Sequence, residues 1–412
     1  MFELLLAVIF AAATITSGQI SIQGHTLGDD TINDISPHAA VSERQGKFFP
    51  LFSVVRFANS QCTGTNNFNG TCFTRRECTN YAGTASGTCA NGLGVCCVFT
   101  RTCGTSTSAN NTYFINPGYP ATYAGGDRCT ITVNRCHSKI CQLRLDFLDF
   151  SLAQPNSSGV CDLDFLLVSG GASTVPRLCG ENTNQHVYVD FNGATPITIS
   201  IDTNTNFAFD RRWNIRIQQI ECDSPCRAPN GCLQYYKGVS DTVTSFNYGT
   251  TVNTRAPLIG TRQMANLNYG VCVRMALGYC SIQWSQSDTL SFTVSGDTGS
   301  LDTTVIGRKI KFIFTIDIII SELNFSYRAI HFLGTDLAAV TGTDCTKDFV
   351  IIPNPSINGT AENVDRFCGN GLVTKTSSLK PFVLYVVTDG DEIGEIQNRG
   401  FILDYTQIAC AV

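Results

Sequence analysis

The sequence predicts an all-β fold divided among several domains. Short segments such as 142–147, 187–191 and 213–217 alternate apolar and polar residues with a period of two, and Gly, Pro and Asn separate them. No apolar stripe of helical period accompanies these segments. The chain has 412 residues, which at roughly 150 residues per domain indicates two or three domains.

Composition indicates the compartment. The 20 cysteines are an even number and a high density for so long a chain, which is unusual in the reducing cytosol. Charged residues make up 15% of the chain and the net charge is −5. This balance excludes the polycationic surface that nucleic-acid binding requires.

The N-terminus indicates secretion. Residues 4–15 are apolar except for Thr14, and Ser17 and Gly18 follow as small residues. This run is too short to span a bilayer and is typical of a signal peptide over 1–18. We expect a secreted, extracellular protein without a membrane span. Residues 19–61 are predicted to be a linker or pro-segment, in which the apolar stretch 47–57 forms an edge strand on the following domain.

Five Asn-x-Ser/Thr sequences are candidate glycosylation sites, which in a secreted chain would lie on exposed loops. They begin at Asn69, Asn110, Asn156, Asn324 and Asn358.

The first cysteine group has six members within residues 62–97 and few apolar residues between them. Such a segment needs disulfides to fold, and six cysteines allow 15 pairings. A zinc site is the weaker alternative, because no His lies there. The gap from Cys72 to Cys78 and the adjacent pair Cys96-Cys97 resemble the clip domains of arthropod proteases and their non-catalytic relatives. That resemblance implies the pairs Cys62–Cys96, Cys72–Cys89 and Cys78–Cys97.

The second cysteine group carries a family resemblance over residues 103–222. Its landmarks are Cys103-Gly104, Asn116-Pro-Gly-Tyr-Pro120, the strand 145–150, Cys161-x-x-Asp164-Phe165 and Arg177-Leu-Cys179-Gly180. Together they resemble a CUB domain, which implies a jelly-roll-like β-sandwich for extracellular binding and the bridges Cys103–Cys129 and Cys161–Cys179. Cys136 and Cys141 are additional to the family pattern. They bracket a short turn, and we expect them to pair with each other.

The third cysteine group repeats these landmarks in the same order. The recurring sequences are Cys345-x-x-Asp348-Phe349, Arg366-Phe-Cys368-Gly369 and Gln407-Ile-Ala-Cys410, the last matching Gln219-Ile-Glu-Cys222. They predict a second, divergent CUB-like domain over 226–410, without a clear counterpart of Cys103–Cys129. Analogy pairs Cys272 with Cys280 and Cys345 with Cys368. Cys222, Cys226, Cys232 and Cys410 remain as two bridges of open connectivity, one of which could join the sandwiches, so no free thiol is expected.

Residues 308–333 do not belong to this repeat. They are rich in Ile, Phe, Lys, Asn and Tyr, whereas their flanks are rich in Thr, Ser and Gly. Two hypotheses stay open for this insert: a retained intron in the gene, or a genuine inserted strand or short helix.

Catalytic motifs are missing from the sequence. It contains neither Gly-x-Ser-x-Gly nor His-Glu-x-x-His, and its five histidines are scattered. One Asp297-Thr-Gly sequence is better explained as a turn than as half of an aspartic-protease site. We therefore expect no enzyme activity.

Calcium is the one cofactor that the CUB resemblance suggests, since many CUB domains bind it through a Glu and two Asp residues. Asp164 and Asp202 match the two aspartates in the first domain, and Asp348 and Asp389 match them in the second. The Glu is not found in either domain, which predicts weak calcium binding or none. In the alternative, Asp164 is a loop hydrogen-bond acceptor.

The expected function is recognition without catalysis. The arrangement is similar to that of secreted arthropod CUB proteins, which implies binding of an extracellular protein or glycan through exposed loops. The alternative is a non-catalytic regulator of an extracellular serine-protease cascade, with a clip-domain protease as partner.

Overall fold

The structure is a computed structural model that describes residues 20–23, 54–65, 67–251, 253, 255, 262–288, 291–294, 338–390, 392–393 and 398–411. The predicted signal peptide, the Asp297 turn, Asn324 and the insert 308–333 lie outside these residues. Strand accounts for 49% of the structure and helix for 4%, so the all-β prediction is confirmed. The chain divides into two units, Met1–Thr100 and Arg101–Val412.

The first unit begins with an antiparallel strand pair, β1 (Ile20–Gln23) and β2 (Val54–Phe57). The predicted edge strand at the end of the linker therefore pairs with residues near the linker's beginning. The Phe57 ring lies close to Gly94, where a Cβ would come within 2.9 Å of it.

The six-cysteine module follows in the same unit. Its strands are β3 (Gln61–Thr63), β4 (Asn69–Phe73), β5 (Thr84–Cys89) and β6 (Gly94–Arg101), with the order β3-β4-β6-β5. A short helix, α1 (Arg75–Asn80), lies between β4 and β5, and a 3₁₀ turn spans Ala90–Gly92. Helix α1 begins with a capping box, because the Glu77 N–H donates to Thr74 Oγ1 and the Thr74 N–H donates to Glu77 Oε2.

The second unit contains two β-sandwiches, which we call the first and the second sandwich. The strands of the first sandwich are β7 (Thr105–Thr107), β8 (Thr112–Ile115), β9 (Arg128–Val133), β10 (Ile140–Ser151), β11 (Phe165–Ser169), β12 (His186–Asp190), β13 (Ile197–Asp202) and β14 (Arg212–Glu221). They form one sheet with the order β7-β9-β13-β11 and a second with the order β8-β14-β10-β12. Only the pair β7–β9 is parallel among these strands.

The alternation in the sequence places the core between the sheets. Cys129, Ile131 and Val133 of β9 are fully buried, whereas the residues between them are partly exposed. Trp213 of β14 is also fully buried, and its ring packs against those of Phe114 and Tyr123. Period-two alternation thus buries one face of each strand, as the sequence predicts.

The second sandwich repeats this topology with additional strands. Its sheets have the orders β15-β17-β26-β21-β24-β20 and β16-β27-β18-β25-β22-β23, and β19 also pairs with β27. The strands are β15 (Cys232–Tyr236), β16 (Ser240–Thr244), β17 (Asn268–Val273), β18 (Tyr279–Gln286), β19 (Phe292–Thr293), β20 (Ala338–Thr341), β21 (Phe349–Ile351), β22 (Pro355–Ile357), β23 (Thr360–Ala361), β24 (Arg366–Asn370), β25 (Lys375–Ser377), β26 (Phe382–Val387) and β27 (Gly400–Ala409). A 3₁₀ turn spans Gly342–Asp344. The first four strands of each sheet correspond in order to the two sheets of the first sandwich.

Nine disulfides join 18 of the 20 cysteines, which are all described in the structure. Six of them are pairs that the sequence resemblance or repeat implied: Cys62–Cys96, Cys72–Cys89, Cys78–Cys97, Cys103–Cys129, Cys161–Cys179 and Cys345–Cys368.

The predicted pairs Cys136–Cys141 and Cys272–Cys280 were wrong. Cys141 pairs with Cys222, since β10 and β14 are antiparallel neighbours whose register places the ends of these strands side by side, 4.8 Å apart at Cα. Cys280 pairs with Cys410 for the same reason, at the corresponding ends of β18 and β27. Sequence proximity was therefore misleading, because strand register and not the intervening turn determines the partner.

The remaining bridge, Cys232–Cys272, joins the parallel strands β15 and β17. It corresponds to Cys103–Cys129 in the first sandwich. There Cys103 lies just before β7, and Cys129 lies in β9, the parallel partner of β7. The second sandwich therefore has a counterpart of Cys103–Cys129, which the sequence repeat did not reveal. No disulfide in this set joins the two sandwiches, and Cys136 and Cys226 are exposed free thiols, so the expectation that no thiol is left was also wrong.

The two sandwiches share a continuous apolar interior within the second unit. One cluster of buried side chains includes residues of both sandwiches. A smaller cluster lies at their junction and contains Tyr188 and Ile220 of the first sandwich with Tyr235 and Val383 of the second. Burial of these faces from water stabilises the pair of sandwiches as one body.

Candidate functional site

Asp164 in the first sandwich is paired with an arginine. The Asp164 and Arg211 side chains are both fully buried, with Nε to Oδ2 at 2.7 Å and Nη2 to Oδ1 at 3.0 Å. The Asp164 oxygens also accept the N–H groups of Ala153 and Asn204. Such a bidentate ion pair satisfies a buried carboxylate fully.

The Arg211 guanidinium also closes the surrounding loops. Its Nη atoms donate to the backbone carbonyls of Ala124, Asn204, Phe207 and Phe209 over 2.6 to 3.1 Å. The guanidinium is thus a cation surrounded by carboxylate and carbonyl oxygens, which are the ligands that surround a bound calcium ion.

The second calcium candidate of this sandwich, Asp202, faces a different arginine. Its carboxylate accepts two hydrogen bonds from Arg128, at 2.8 and 2.7 Å. Each of the two predicted calcium ligands of this sandwich, Asp164 and Asp202, is therefore paired with an arginine of its own. The alternative for Asp164, a loop hydrogen-bond acceptor, agrees with its contacts.

In the second sandwich three acidic side chains converge. Asp348, Asp389 and Glu392 each place a carboxylate oxygen within 4.8 Å of the other two, and Asp348 and Glu392 are buried. Gln263 Nε2 donates to Asp348 Oδ2 at 2.8 Å and to Glu392 Oε1 at 3.3 Å. The Asp389 N–H donates to Asp348 Oδ1. Three converging carboxylates offer the hard oxygen ligands that calcium prefers.

Glu392 was missed in the sequence. The resemblance directs attention to a Glu after the central strand, whereas Glu392 lies in the late loop, three residues after Asp389. The acidic run Asp389-Gly-Asp391-Glu392 was the available signal.

The interface between the sandwiches is strongly hydrogen-bonded. His186 Nε2 lies 3.1 Å from both the N–H and the carbonyl oxygen of Tyr235, so it accepts from the first or donates to the second according to its tautomer. Burial, with a smaller contribution from nearby Arg144, lowers the pKa of His186 to about 4. Gln185 Nε2 donates to the carbonyl of Ser245. His186 is therefore a neutral interface residue.

Asn247 makes three hydrogen bonds across the interface. Its N–H donates to Asn182 Oδ1, its Nδ2 donates to Gln154 Oε1, and its Oδ1 accepts the Glu181 N–H, all at 2.9 Å. Gly180 lies so close that a Cβ there would come within 2.0 Å of Asn247 Oδ1. Since the positive φ of 73° at this position also favours glycine, a side chain at 180 would disrupt the interface.

A cleft opens where the two sandwiches meet, with a volume of about 570 Å³. The first sandwich contributes Arg144, Glu181 and residues 183–186, and the second contributes the end of β15, the following turn, β16 and Tyr248. No local sequence pattern predicts this cleft, because its two walls lie far apart in the chain.

The two free thiols differ in environment. A hydrogen bond from Lys237 lowers the pKa of the Cys226 thiol. Cys136 is exposed as a residue, but partial burial of its sulfur raises the pKa of the thiol. Cys226 is therefore the more readily ionised of the two.

The described glycosylation candidates also differ. Asn358 is exposed at the turn between β22 and β23, with φ of 49° followed by 83° at Gly359. Asn156 is partly exposed, and its Oδ1 accepts the N–H groups of Ser158 and Val160. Asn110 Oδ1 accepts the Gln219 N–H, and Asn69 lies in β4. Among these four, Asn358 offers a glycan the most open position.

Comparison with solved structures finds distant similarity. The CUB1-EGF-CUB2 domains of rat MASP-1 share 11% identity, with 75% of this chain and 99% of that chain covered and a TM-score of 0.22. The same region of human MASP-1/3 shares 14% identity, with 72% and 98% covered and a TM-score of 0.22. The MASP-1 CUB2 domain bound to Ca²⁺ shares 17% identity, with 28% and 98% covered and a TM-score of 0.24.

No curated protein matches the chain, and no helix in the described residues is long and apolar enough to span a bilayer. Two family models match: the CUB domain over residues 103–213 and the animal CUB domain over residues 229–408. The matched segments correspond to the two sandwiches and together cover more than half of the chain. The protein therefore contains two CUB domains, one in each sandwich.

Proposed function

We propose that the protein is a secreted, non-catalytic binding protein whose two CUB domains recognise an extracellular protein or glycan partner. CUB domains often mediate protein–protein binding. The nine disulfides support an oxidising, extracellular location.

The observation that carries this proposal is the interface between the sandwiches. The buried amides of Gln154, Asn182 and Asn247 hydrogen-bond across it, and separating the sandwiches would remove these bonds along with apolar contacts. The two CUB domains therefore present their loops as one surface with fixed geometry, which favours recognition of a single partner by both domains.

Two candidate groups for chemistry have other roles. The His186 imidazole is buried against a backbone N–H, and the Asp164 carboxylate is held by Arg211. Both contacts are structural, which supports a function without catalysis.

A binding screen tests the proposal. The full chain, produced by secretion, is probed against arrays of extracellular protein domains and of glycans. Any partner is then tested against Asn247→Ala, which removes the side-chain hydrogen bonds to Gln154 and to the Glu181 N–H across the interface, and against Asn354→Ala, an exposed control. We expect the first variant to weaken binding and the control to retain it. A partner whose affinity is unchanged in Asn247→Ala would contradict recognition by both domains together.

The alternative function is regulation of a clip-type serine-protease cascade. It is supported by the three bridges of the six-cysteine module, which follow the clip pairing. Its test is capture of clip-domain proteases from extracellular fluid by the full chain. Substitution of the exposed Arg75 and Arg76 on α1 by Ala should reduce that capture, whereas substitution of the exposed Lys347 in the second sandwich should not.

Calcium is proposed as a ligand of the second sandwich. Asp348, Asp389 and Glu392 supply three carboxylates there. The first sandwich needs no such ion, since Arg211 already neutralises Asp164.

A further inference from the structure

We infer that the cleft between the two sandwiches binds the end of a neutral oligosaccharide. This inference rests on the proposed binding function and specifies its ligand. The cleft volume of about 570 Å³ lies within the range of roughly 300–1,000 Å³ that is typical of small-ligand sites.

The first argument is the composition of the lining. No aliphatic side chain and no phenylalanine contributes to it among the described residues. A partner that anchors itself by burying Leu, Ile or Met would therefore meet no aliphatic side chain there. The partly exposed rings of the lining belong to Tyr236 and Tyr248, whereas Tyr235 and His186 are buried, and tyrosine combines an apolar ring face with a hydrogen-bonding hydroxyl. The C–H faces and hydroxyls of a sugar match both properties.

The second argument is charge. Arg144 and Lys237 carry positive charges, and Glu181 and Asp241 carry negative ones, so the charged lining has no net charge. For a strongly anionic or strongly cationic ligand, attraction to one pair of groups would be offset by repulsion from the other pair. Sugar hydroxyls can donate to the carboxylates and accept from the cations at the same time.

The third argument is that the donors and rings are already positioned. Arg144 Nε donates to Asp146 Oδ1 at 2.6 Å and its Nη1 donates to the Tyr188 hydroxyl at 3.0 Å, whereas Nη2 takes no part in these two bonds. The Tyr236 ring packs edge-on against the imidazole of His186, with 5.0 Å between ring centroids. A ligand would meet a largely preformed site and lose little of its binding free energy to reorganisation.

The experiment uses the full chain and an array of neutral and acidic oligosaccharides, followed by calorimetry with the neutral oligosaccharide that binds best. The test variants are Asp241→Asn and Tyr248→Ala, whose side chains are exposed and half-buried respectively. The matched controls are Asp223→Asn, which is exposed, and Tyr385→Ala, a tyrosine that is 40% exposed on β26; neither control lines the cleft.

We expect each cleft variant to weaken affinity about tenfold, as loss of one aromatic or charge-assisted contact does. Both controls should stay within about twofold of the wild type, and all four variants should keep its thermal midpoint. The inference is overturned if no neutral oligosaccharide binds, if only acidic ones bind, or if the cleft variants bind like the controls. If the protein instead binds a partner that lacks carbohydrate, the inference fails but the proposed binding function stands.

Discussion

Asp164 and Asp348 occupy the same motif position in the two CUB domains, three residues after a bridged cysteine, yet their surroundings differ. Arg211, the residue before β14, holds Asp164 in a bidentate pair. Asp348 lies instead beside Asp389 and Glu392, with the amide of Gln263 as a donor. The comparison teaches that one fold can stabilise the same buried carboxylate with a guanidinium of its own or with a group of oxygen ligands suited to a cation.

Removing the Arg211 guanidinium should have the largest effect on stability. Arg211→Met leaves Asp164 buried without its partner, which is expected to destabilise the first sandwich by about 3–5 kcal/mol. The control Arg212→Met removes an ion pair with Asp149 in which the Arg212 side chain is 44% exposed, and it should cost under about 1 kcal/mol.

Urea unfolding measures this difference through the two tryptophans, since Trp213 lies in the first sandwich, Trp284 in the second, and both are fully buried. With Trp284→Phe as background, the fluorescence of Trp213 reports the first sandwich. Equal losses for the two arginine variants would mean that the buried ion pair does not stabilise this loop.

The buried imidazole of His186 should make the stability of the folded protein depend on pH. The pKa of His186 is about 4 in the folded protein, whereas an unfolded histidine has a value of about 6.5. As the pH falls below 6.5, the imidazole binds a proton in the unfolded chain but not in the folded one. The free energy of unfolding should therefore fall by about 3 kcal/mol between pH 6.5 and about pH 4.

His186→Gln should remove this part of the pH dependence, and the measurement is urea unfolding of both proteins between pH 7.5 and about 4. The lowered pKa of Asp146, which Arg144 and Arg216 cause against the opposing effect of burial, affects stability only at still lower pH. Identical profiles for wild type and His186→Gln would show that the imidazole is not buried in neutral form.

Calcium should distinguish the second sandwich from the first. Saturating calcium at about 100 times its Kd would stabilise the second sandwich by about 2.7 kcal/mol, and Asp389→Asn should abolish that gain. Asp365→Asn, an exposed carboxylate of the same sandwich, should leave it unchanged.

The measurement is the thermal midpoint with calcium or with a chelator, read from Trp284 in a Trp213→Phe background and from Trp213 in a Trp284→Phe background. A calcium shift that persists in Asp389→Asn, or one confined to the Trp213 signal, would contradict the assignment.

The smallest expected effect is on thiol reactivity. Two thiols per chain should react with an alkylating reagent at pH 7 without denaturant, and Cys226 should react before Cys136, because Lys237 lowers the pKa of Cys226 and burial raises that of Cys136. Peptide mass spectrometry gives the two rates. Lys237→Met should slow Cys226 alone, and a native chain without reactive thiols would contradict the assignment of both cysteines as free.

Much of the fold could be predicted from local sequence. The alternation in β9 and β14 indicates buried strands, and the repeated Cys-x-x-Asp-Phe landmark reveals two related domains. The pairs Cys141–Cys222 and Cys280–Cys410 could not be found by proximity, because they depend on strand register over 81 and 130 residues.

The candidate sites were harder to predict for the same reason. Arg211 reaches Asp164 across 47 residues, and it follows Asp210 and precedes Arg212, so nothing local distinguishes the buried arginine from the exposed one. The cleft combines residues of both sandwiches, and only the folded chain brings its walls together.

A cation that belongs to the chain cannot be chelated or diluted. Because Arg211 is covalently tethered beside Asp164, its effective local concentration is set by the fold and not by the surrounding fluid. Chelators and changes in divalent-ion concentration should therefore leave the arrangement of the loops around Arg211 unchanged.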